Sequence, residues 1–352
     1  MIDWHKSMSQ TYEFFKVDPN TWRDAEPIND VISCTINRDD SNQTLGSASI
    51  DVTNPLDECY VRAYLKVNQN GNKERFPLGT VLVQTPAVKF DGKNTNVSLD
   101  AYTPLIELKE SMPTIGYSVL KDTPIMETVF MVCREKMRAP VVRANDATRL
   151  YDDFVANIND TWLTFLTDLA KQAKFTLSLD ELGRVIFEPD KDDSSLQPMY
   201  EFNDGNSSIL YPSITDERDL YGIPNVVEVY FSSEDAQLFS RVVNDDPDSV
   251  ISTVNRGREI VYRETSPSIS GTPSQEVLDA YAKQLLRNKS CLEHTITYTH
   301  GYCGVRVGDC VLLNYRRAGL RNVKAKIRSQ SIKCETGCPV EETATYTTKL
   351  WR

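Results

Sequence analysis

Thr44-Leu45-Gly46-Ser47-Ala48-Ser49-Ile50-Asp51-Val52 is the stretch from which the architecture of this chain can be read. Successive side chains of an extended backbone point to opposite sides. Ala48, Ile50 and Val52 therefore share one face, and Ser47, Ser49 and Asp51 share the other. An apolar face backed by a polar one is the pattern of a half-buried β-strand. The alternation continues outward in both directions. Upstream, Ile32, Cys34 and Ile36 oppose Ser33, Thr35 and Asn37; downstream, Val61, Ala63, Leu65 and Val67 oppose Tyr60, Arg62, Tyr64 and Lys66. Turn residues separate the runs at Asp39-Asp40-Ser41-Asn42, Asn54-Pro55, Asn70-Gly71-Asn72 and Asp91-Gly92. Short, closely spaced strands of this kind predict a compact barrel or sandwich over the first hundred residues.

Near residue 105 the period changes. Thr123-Pro124 reads as a helix start, with Thr as cap and Pro in the first helical position. Ile125, Val129, Val132 and Cys133 then recur at helical spacing until Arg138-Ala139-Pro140. A second helix is expected from Asn159 or Asp160, with Trp162, Phe165, Leu166, Leu169 and Ala173 as its stripe. Such a stripe suits core packing better than a ligand groove, since a surface helix needs one apolar face. A hairpin follows, Phe175-Thr176-Leu177-Ser178-Leu179 turning through Asp180-Glu181-Leu182-Gly183 into Val185-Ile186-Phe187. Residues 189–197 read as an exposed linker. Strands return after residue 220, at Val227/Val229/Phe231, 238–243, 259–262, 295–299, 310–315, 323–328 and 343–350. Thr272-Pro273-Ser274-Gln275 is a capping box opening a helix that ends near Asn288. A short echo links the two ends: Leu78-Gly79-Thr80-Val81-Leu82-Val83 resembles Val307-Gly308-Asp309-Cys310-Val311-Leu312-Leu313.

The chain has 352 residues, enough for two or three domains, with ordinary globular composition: 40% hydrophobic and 25% charged. Its net charge of −11 opposes free duplex-DNA binding, which needs clustered Lys and Arg, and repels anionic membrane. The start Met1-Ile2-Asp3-Trp4-His5-Lys6 lacks a signal-peptide pattern, and no run of about 18 apolar residues predicts a membrane span. Eight cysteines in a chain this long are too sparse for a disulfide scaffold.

Motifs that would carry chemistry are few. No G-x-S-x-G, P-loop, G-x-G-x-x-G or H-E-x-x-H occurs. Cys291, His294, His300 and Cys303 have a spacing that could hold zinc, but His294, Ile296, Tyr298 and His300 also fall on one face of a strand, the preferred reading. Cys334-Glu335-Thr336-Gly337-Cys338 reads as a tight loop with Gly in the left-handed position and a cysteine on either side. Those two cysteines are either bridged or free thiols. An iron–sulfur set of Cys303, Cys310, Cys334 and Cys338 lacks a recognised spacing. Asn244-Asp245-Asp246-Pro247-Asp248 lacks the EF-hand glycine and terminal Glu and reads as a solvated turn. Arg316, Arg317, Arg321, Lys324, Lys326 and Arg328 form a basic cluster, either a solvated face or a meeting place for nucleic acid or an acidic partner.

The order of these segments resembles that of the tail hub, or baseplate hub, proteins of tailed bacteriophages. The likeness rests on residues 44–52 and on Phe76-Pro77-Leu78-Gly79-Thr80-Val81-Leu82-Val83 before Pro86. It rests further on Asp100-Ala101-Tyr102-Thr103-Pro104-Leu105, Thr161-Trp162-Leu163 through Phe187, Asn225-Val226-Val227-Glu228-Val229, and Ala282-Lys283-Gln284-Leu285-Leu286 followed by Val307-Gly308-Asp309-Cys310-Val311. It spans nearly the whole chain, although the cysteine-rich end is not part of the general pattern. The resemblance implies an α+β, mainly β chain: a first β-barrel domain at 1–108, an inserted small α+β domain at 109–205, and a related second barrel at 206–352 with its own helix at 273–288. It also implies a homotrimer whose paired barrels make a pseudo-sixfold ring. That ring would join the hexameric tail tube or distal tail protein ring to the trimeric spike or tip. Its lumen would pass the tape-measure protein and then DNA, without specific binding. The expected place is the virion tail tip or baseplate, after assembly in the host cytoplasm. No catalytic, cofactor-binding or metal residues, and no cofactors, are expected of such a part. Two rivals stand beside it. A tail-associated cell-wall hydrolase would need a buried, pKa-shifted carboxylate pair or a metal site in a cleft. A receptor- or carbohydrate-binding module would show exposed aromatics on the inserted domain.

Overall fold

A computed structural model describes residues 2–90, 92, 95–232, 237–265, 267 and 274–351. The chain is mainly β with few helices, as the alternation requires. It divides into two compact units, Met1–Ile214 with Thr297–Ala344, and Thr215–Ile296 with Thr345–Arg352.

Among the described residues the largest sheet has 13 strands in an open order. From one edge it runs Asp24–Ile28, Ser9–Val17, Cys59–Gln69, Asn72–Phe90, Thr95–Tyr102, Gly46–Val52, Val31–Asp39, Val323–Lys333, Pro339–Lys349, Cys291–Gly301 and Leu210–Arg218. Pro198–Asn203 pairs in parallel with Cys310–Asn314, which joins Val323–Lys333. The hydrogen-bonded order does not close on itself, so the barrels expected above are not present as closed rings in it. The N-terminal strands still surround one apolar core. Ile36, Ile50, Leu65, Leu78, Val83 and Leu99 fill it, and Ile332, Cys338 and Val340 enter from the C-terminal strands.

Gly46–Val52 keeps the alternation read from sequence, with Ala48, Ile50 and Val52 buried. Two neighbours depart from it. The register between Val31–Asp39 and Gly46–Val52 shifts between Val31 and Ser33. Ile32 sits at that bulge and is turned out, 55% exposed, while Cys34 and Ile36 remain inside. In Cys59–Gln69 the expected outer residues Tyr60, Arg62 and Tyr64 are also buried, so something covers that face.

Tyr60 packs on Trp22 and Ile106, Tyr64 lies under Arg75 and beside Phe15, and Arg62 is covered by the tip of the helix-and-hairpin segment. Its first helix is Ile125–Lys136, with Pro124 as N-cap; the Thr123 cap read from sequence is not used. The second is Trp162–Gln172, later than expected, because Thr161 accepts the Thr164 amide at 3.2 Å and caps it. Trp162, Phe165, Leu166 and Leu169 are buried core, as their spacing suggested. Phe175–Leu179 and Val185–Pro189 form the expected hairpin.

In the other unit, Val226–Ser232 lies between antiparallel Gln237–Val243 and parallel Val261–Glu264. The helix Gln275–Lys289 lays Leu278, Ala282 and Leu286 against Val227 and Val229. Thr272 and Pro273, half of the expected capping box, lie outside the described residues. The cap observed is Ser274, whose Oγ accepts the Val277 amide at 3.3 Å.

The echo between the two ends does not hold in backbone geometry. Gly308 turns with φ +92°, whereas Gly79 lies inside the Asn72–Phe90 strand beside a register shift. A Cβ on Gly79 would meet Ile36 Cγ2 at 3.3 Å, so close packing rather than a turn explains that glycine. No described helix is long and apolar enough to cross a membrane.

Candidate functional site

The tip of the Phe175–Leu179/Val185–Pro189 hairpin forms a charged joint with the first strands and the C-terminal strands of the same unit. Arg62 is buried (4% exposed) and spends its whole guanidinium here. Its Nε donates to Thr80 Oγ1 at 2.8 Å, Nη1 to Asp24 Oδ1 at 2.9 Å and Nη2 to the Leu182 carbonyl at 3.1 Å. Thr80 Oγ1 in turn donates to the Glu181 carbonyl at 3.1 Å. Trp22 closes the other side: its indole Nε1 donates to the Leu182 carbonyl at 2.7 Å, and its ring meets Tyr60 edge-on at 4.8 Å. Trp22 holds φ 56°, a conformation rare for a bulky residue and tolerated where its surroundings fix it.

The Glu181 carboxylate extends the joint. It takes Arg38 at 3.3 Å and Arg306 at 2.8 Å. Arg38 also donates to Gln330 Oε1 at 3.1 Å. Gln330 passes its amide to Glu342 Oε1 at 2.6 Å and to the Val305 carbonyl at 3.0 Å. Glu342 is fully buried and accepts the Tyr298 hydroxyl at 2.6 Å. His300 Nε2 stands 3.1 Å from Glu342 Oε1, an ion-pair contact at an angle unsuited to a hydrogen bond. Burial opposes charge on His300, but the Glu342 carboxylate outweighs it and the imidazole is pushed up to about 10. Burial and the same carboxylate raise Tyr298 well above its ordinary value, so it stays a donor.

Gly183 shows how tightly the hairpin tip is seated. It has φ +75°, and a Cβ would lie 2.9 Å from Thr80 Cβ and 3.2 Å from Trp22 Cζ2. Gly183→Ala is expected to cost about 2 kcal/mol, from backbone strain and forced separation together, read as a lower urea midpoint. A midpoint unchanged from wild type would mean the tip is loosely held.

The residues singled out in the sequence lie as follows. His294, Ile296, Tyr298 and His300 do share the buried face of Cys291–Gly301. His294 pairs with Asp216 at 3.0 Å and Thr348 at 3.1 Å and stacks on Tyr346. Cys303 Sγ lies 3.8 Å from His300 Nδ1, and Cys291 points its thiol at the Arg287 carbonyl. Among the described residues no three His, Cys, Asp or Glu side chains converge as metal ligands. In 244–248 the side chains cap their own turn, Asn244 Oδ1 accepting the Asp246 amide and Asp246 Oδ1 the Asp248 amide. The basic cluster is partly paired: Lys326 with Asp193 at 2.6 Å, and Arg328 with Asp40 and Asp193 at 3.1 and 3.3 Å. Asp193, exposed as expected of that linker, anchors it to Val323–Lys333. The Cys334–Cys338 loop turns at Gly337, φ +86°, as expected, and both thiols are free. Sequence reasoning missed Arg62, Glu181 and Glu342. The clue to Arg62 was a charged residue within a run of apolar and aromatic ones.

Two cavities, of about 590 and 500 Å³, flank Tyr12 and share Cys334. Neither is lined by Glu181 or Glu342, so the buried carboxylates of the joint do not open into them.

Against known structures the chain overlays from end to end. The tail protein from Neisseria meningitidis MC58 matches 97% of this chain and 98% of its own, with TM-score 0.60 and 14% identity. The chain has the fold of a phage-type tail protein. The prophage MuSo2 43 kDa tail protein from Shewanella oneidensis gives TM-score 0.62 and 12% identity over 96% of this chain and 98% of that one. The Francisella PdpA–VgrG complex matches 98% of this chain but 58% of its own, with TM-score 0.53 and 9% identity. No protein-family model matches the sequence, and no curated protein matches it.

Proposed function

We propose that this chain is a structural tail protein of a phage-type particle, acting as a trimeric hub between the tail tube or distal tail protein ring and a central spike or tip. The observation that carries the reading is the end-to-end correspondence with a tail protein, 97% of one chain on 98% of the other. A fold shared over that length suits an assembly part better than a small module grafted onto an unrelated protein. In this reading residues 1–108 and 206–352 supply two barrel-like ring segments, and 109–205 is an insertion anchored by the joint at Arg62 and Glu181. The ring's lumen passes the tape-measure protein and DNA, and a net charge of −11 favours a lumen from which phosphate slides free. Its place is the tail tip or baseplate of the particle, reached after assembly in the host cytoplasm.

We assign it no catalytic role. Glu181 and Glu342 are each held by basic or donor side chains within the fold, which suits a rigid part. The large apolar side chains exposed on the insertion are mostly aliphatic, Met112, Ile115, Leu120 and Ile158 among them, with Tyr151 the one aromatic among the described residues. Apolar aliphatic exposure suits contact with another protein better than stacking on sugars.

Light scattering and particle imaging of the purified chain test the proposal. A trimer with a central hole and an acidic lumen is expected, and clearing of bacterial cell wall in a zymogram is not. A monomer that lyses cell wall would overturn the reading.

A further inference from the structure

We propose that Cys34 and Cys334 are the partners of a disulfide that forms in the folded chain when it leaves a reducing compartment. The pairing of Val323–Lys333 with Val31–Asp39 sets Ile332 opposite Ile36 and Lys333 opposite Thr35. The next step of that antiparallel ladder sets Cys334 opposite Cys34, and the Cys334 amide donates to the Cys34 carbonyl at 2.9 Å. Directly opposed, hydrogen-bonded residues have Cα atoms about 5.5 Å apart, inside the range a disulfide spans. Opposed side chains also leave the sheet on the same face. Here that face is the apolar core that holds Cys34 and against which Cys334 packs. Both thiols are free.

The neighbouring cysteine is the natural rival, since Cys334 and Cys338 flank one short loop. Cys338, however, is fully buried and lines neither cavity, whereas Cys334 lines both. The neighbouring Cys34 thiol and burial together raise the Cys334 thiol above its ordinary value.

Access comes through the cavities. Cys334 lines both, and Cys34 lines the one of about 500 Å³. A low-molecular-weight disulfide such as oxidised glutathione is the oxidant. The Cys334 thiolate attacks one of its sulfurs, its S–S bond breaks, and one glutathione leaves as thiol. The Cys34 thiolate then attacks Cys334 Sγ of the mixed disulfide and expels the second glutathione. The two protons lost by the cysteines end on the two leaving thiols, and the two electrons reduce the oxidant. Because the Cys334 thiol is raised, the thiolate is scarce at neutral pH and the reaction quickens as pH rises. A cytosolic chain would stay reduced, and one released from the cell would oxidise. The pairing itself does not depend on the hub reading.

The test is to treat the native full chain with oxidised glutathione, block residual thiols, digest without reduction and map the linked peptides. Wild type and Cys338→Ser should both give a peptide joining Cys34 to Cys334, and Cys334→Ser should give none. The same oxidation should raise the unfolding temperature of wild type and Cys338→Ser by roughly 5–15 °C, reversed by dithiothreitol. Should Cys334→Ser fail to fold, the wild-type map alone decides. A dominant Cys334–Cys338 peptide, a stable glutathione adduct without a cross-link, or unchanged thiols would each overturn the proposal.

Discussion

Arg62→Ala should lower the stability of its unit by about 3–5 kcal/mol, the loss that follows when one partner of a buried ion pair is removed. The guanidinium is 5% exposed at the side chain, its partner Asp24 22%. Truncation leaves the Leu182 carbonyl short of a donor and Thr80 Oγ1 without the Arg62 Nε donor, and it opens a void beneath Trp22. Arg75 still reaches Asp24 at 3.1 Å, so the carboxylate keeps one cation. The reverse substitution should therefore be milder. Asp24→Asn removes the charge but leaves Arg62 its carbonyl and hydroxyl partners, and about 1–2 kcal/mol is expected. Arg62→Lys should fall near alanine, since one ammonium cannot serve three directions at once. Urea unfolding followed by tryptophan fluorescence measures the series, and hydrogen exchange at residues 175–189 reports whether the hairpin tip lifts first. A loss below about 1 kcal/mol for Arg62→Ala would show that water replaces the guanidinium without cost.

Stability should also fall as pH rises from about 6.5 to about 10, through His300. The sign follows from the raised value. His300 is held up to about 10 in the fold, against an ordinary value of 6.5. Below about 6.5 it is protonated whether folded or unfolded, and the ion pair contributes in full. Between the two values the folded chain keeps a proton that the unfolded chain releases, and stability declines by at most about 1.4 kcal/mol per pH unit. Above about 10 the contribution is gone. The whole effect is on the order of a few kcal/mol, with no discount for solvent because both partners are fully buried. The groups facing the imidazole are Glu342, Tyr298 and Cys303. Glu342→Gln removes the anion and keeps an acceptor for the Tyr298 hydroxyl. It should flatten the profile while lowering stability most at pH 6. Urea midpoints at pH 6, 7, 8 and 9 make the comparison, and an equally sloped profile in Glu342→Gln would assign the pH dependence elsewhere.

These two sites mark the limit of what the amino-acid order reveals. Alternation at residues 47–52 and the stripe of Trp162, Phe165, Leu166 and Leu169 were legible because each depends on neighbours in sequence. The bulge that turns Ile32 outward was not, since it arises from register against another strand. The burial of Arg62 was hidden for a related reason: its cover includes Leu182, far along the chain. Gly79 and Gly308 look alike in sequence and differ in backbone, because one is a packing constraint and the other a turn. Cys334 suggested Cys338 as its neighbour, and only the ladder between 31–39 and 323–333 brings Cys34 beside it.

That ladder has a consequence for how the chain is made. Val31–Asp39 has Gly46–Val52 on one side as soon as the first domain's worth of chain is synthesised. Its other hydrogen-bonding edge waits for Val323–Lys333. Until then a strand edge stands open, and the apolar core lacks Ile332, Cys338 and Val340. Closure across so long a sequence separation is slow, and an uncovered edge invites pairing with other chains. Completion must therefore wait until Val323–Lys333 has been synthesised, and until then the open edge is exposed to other copies of the chain.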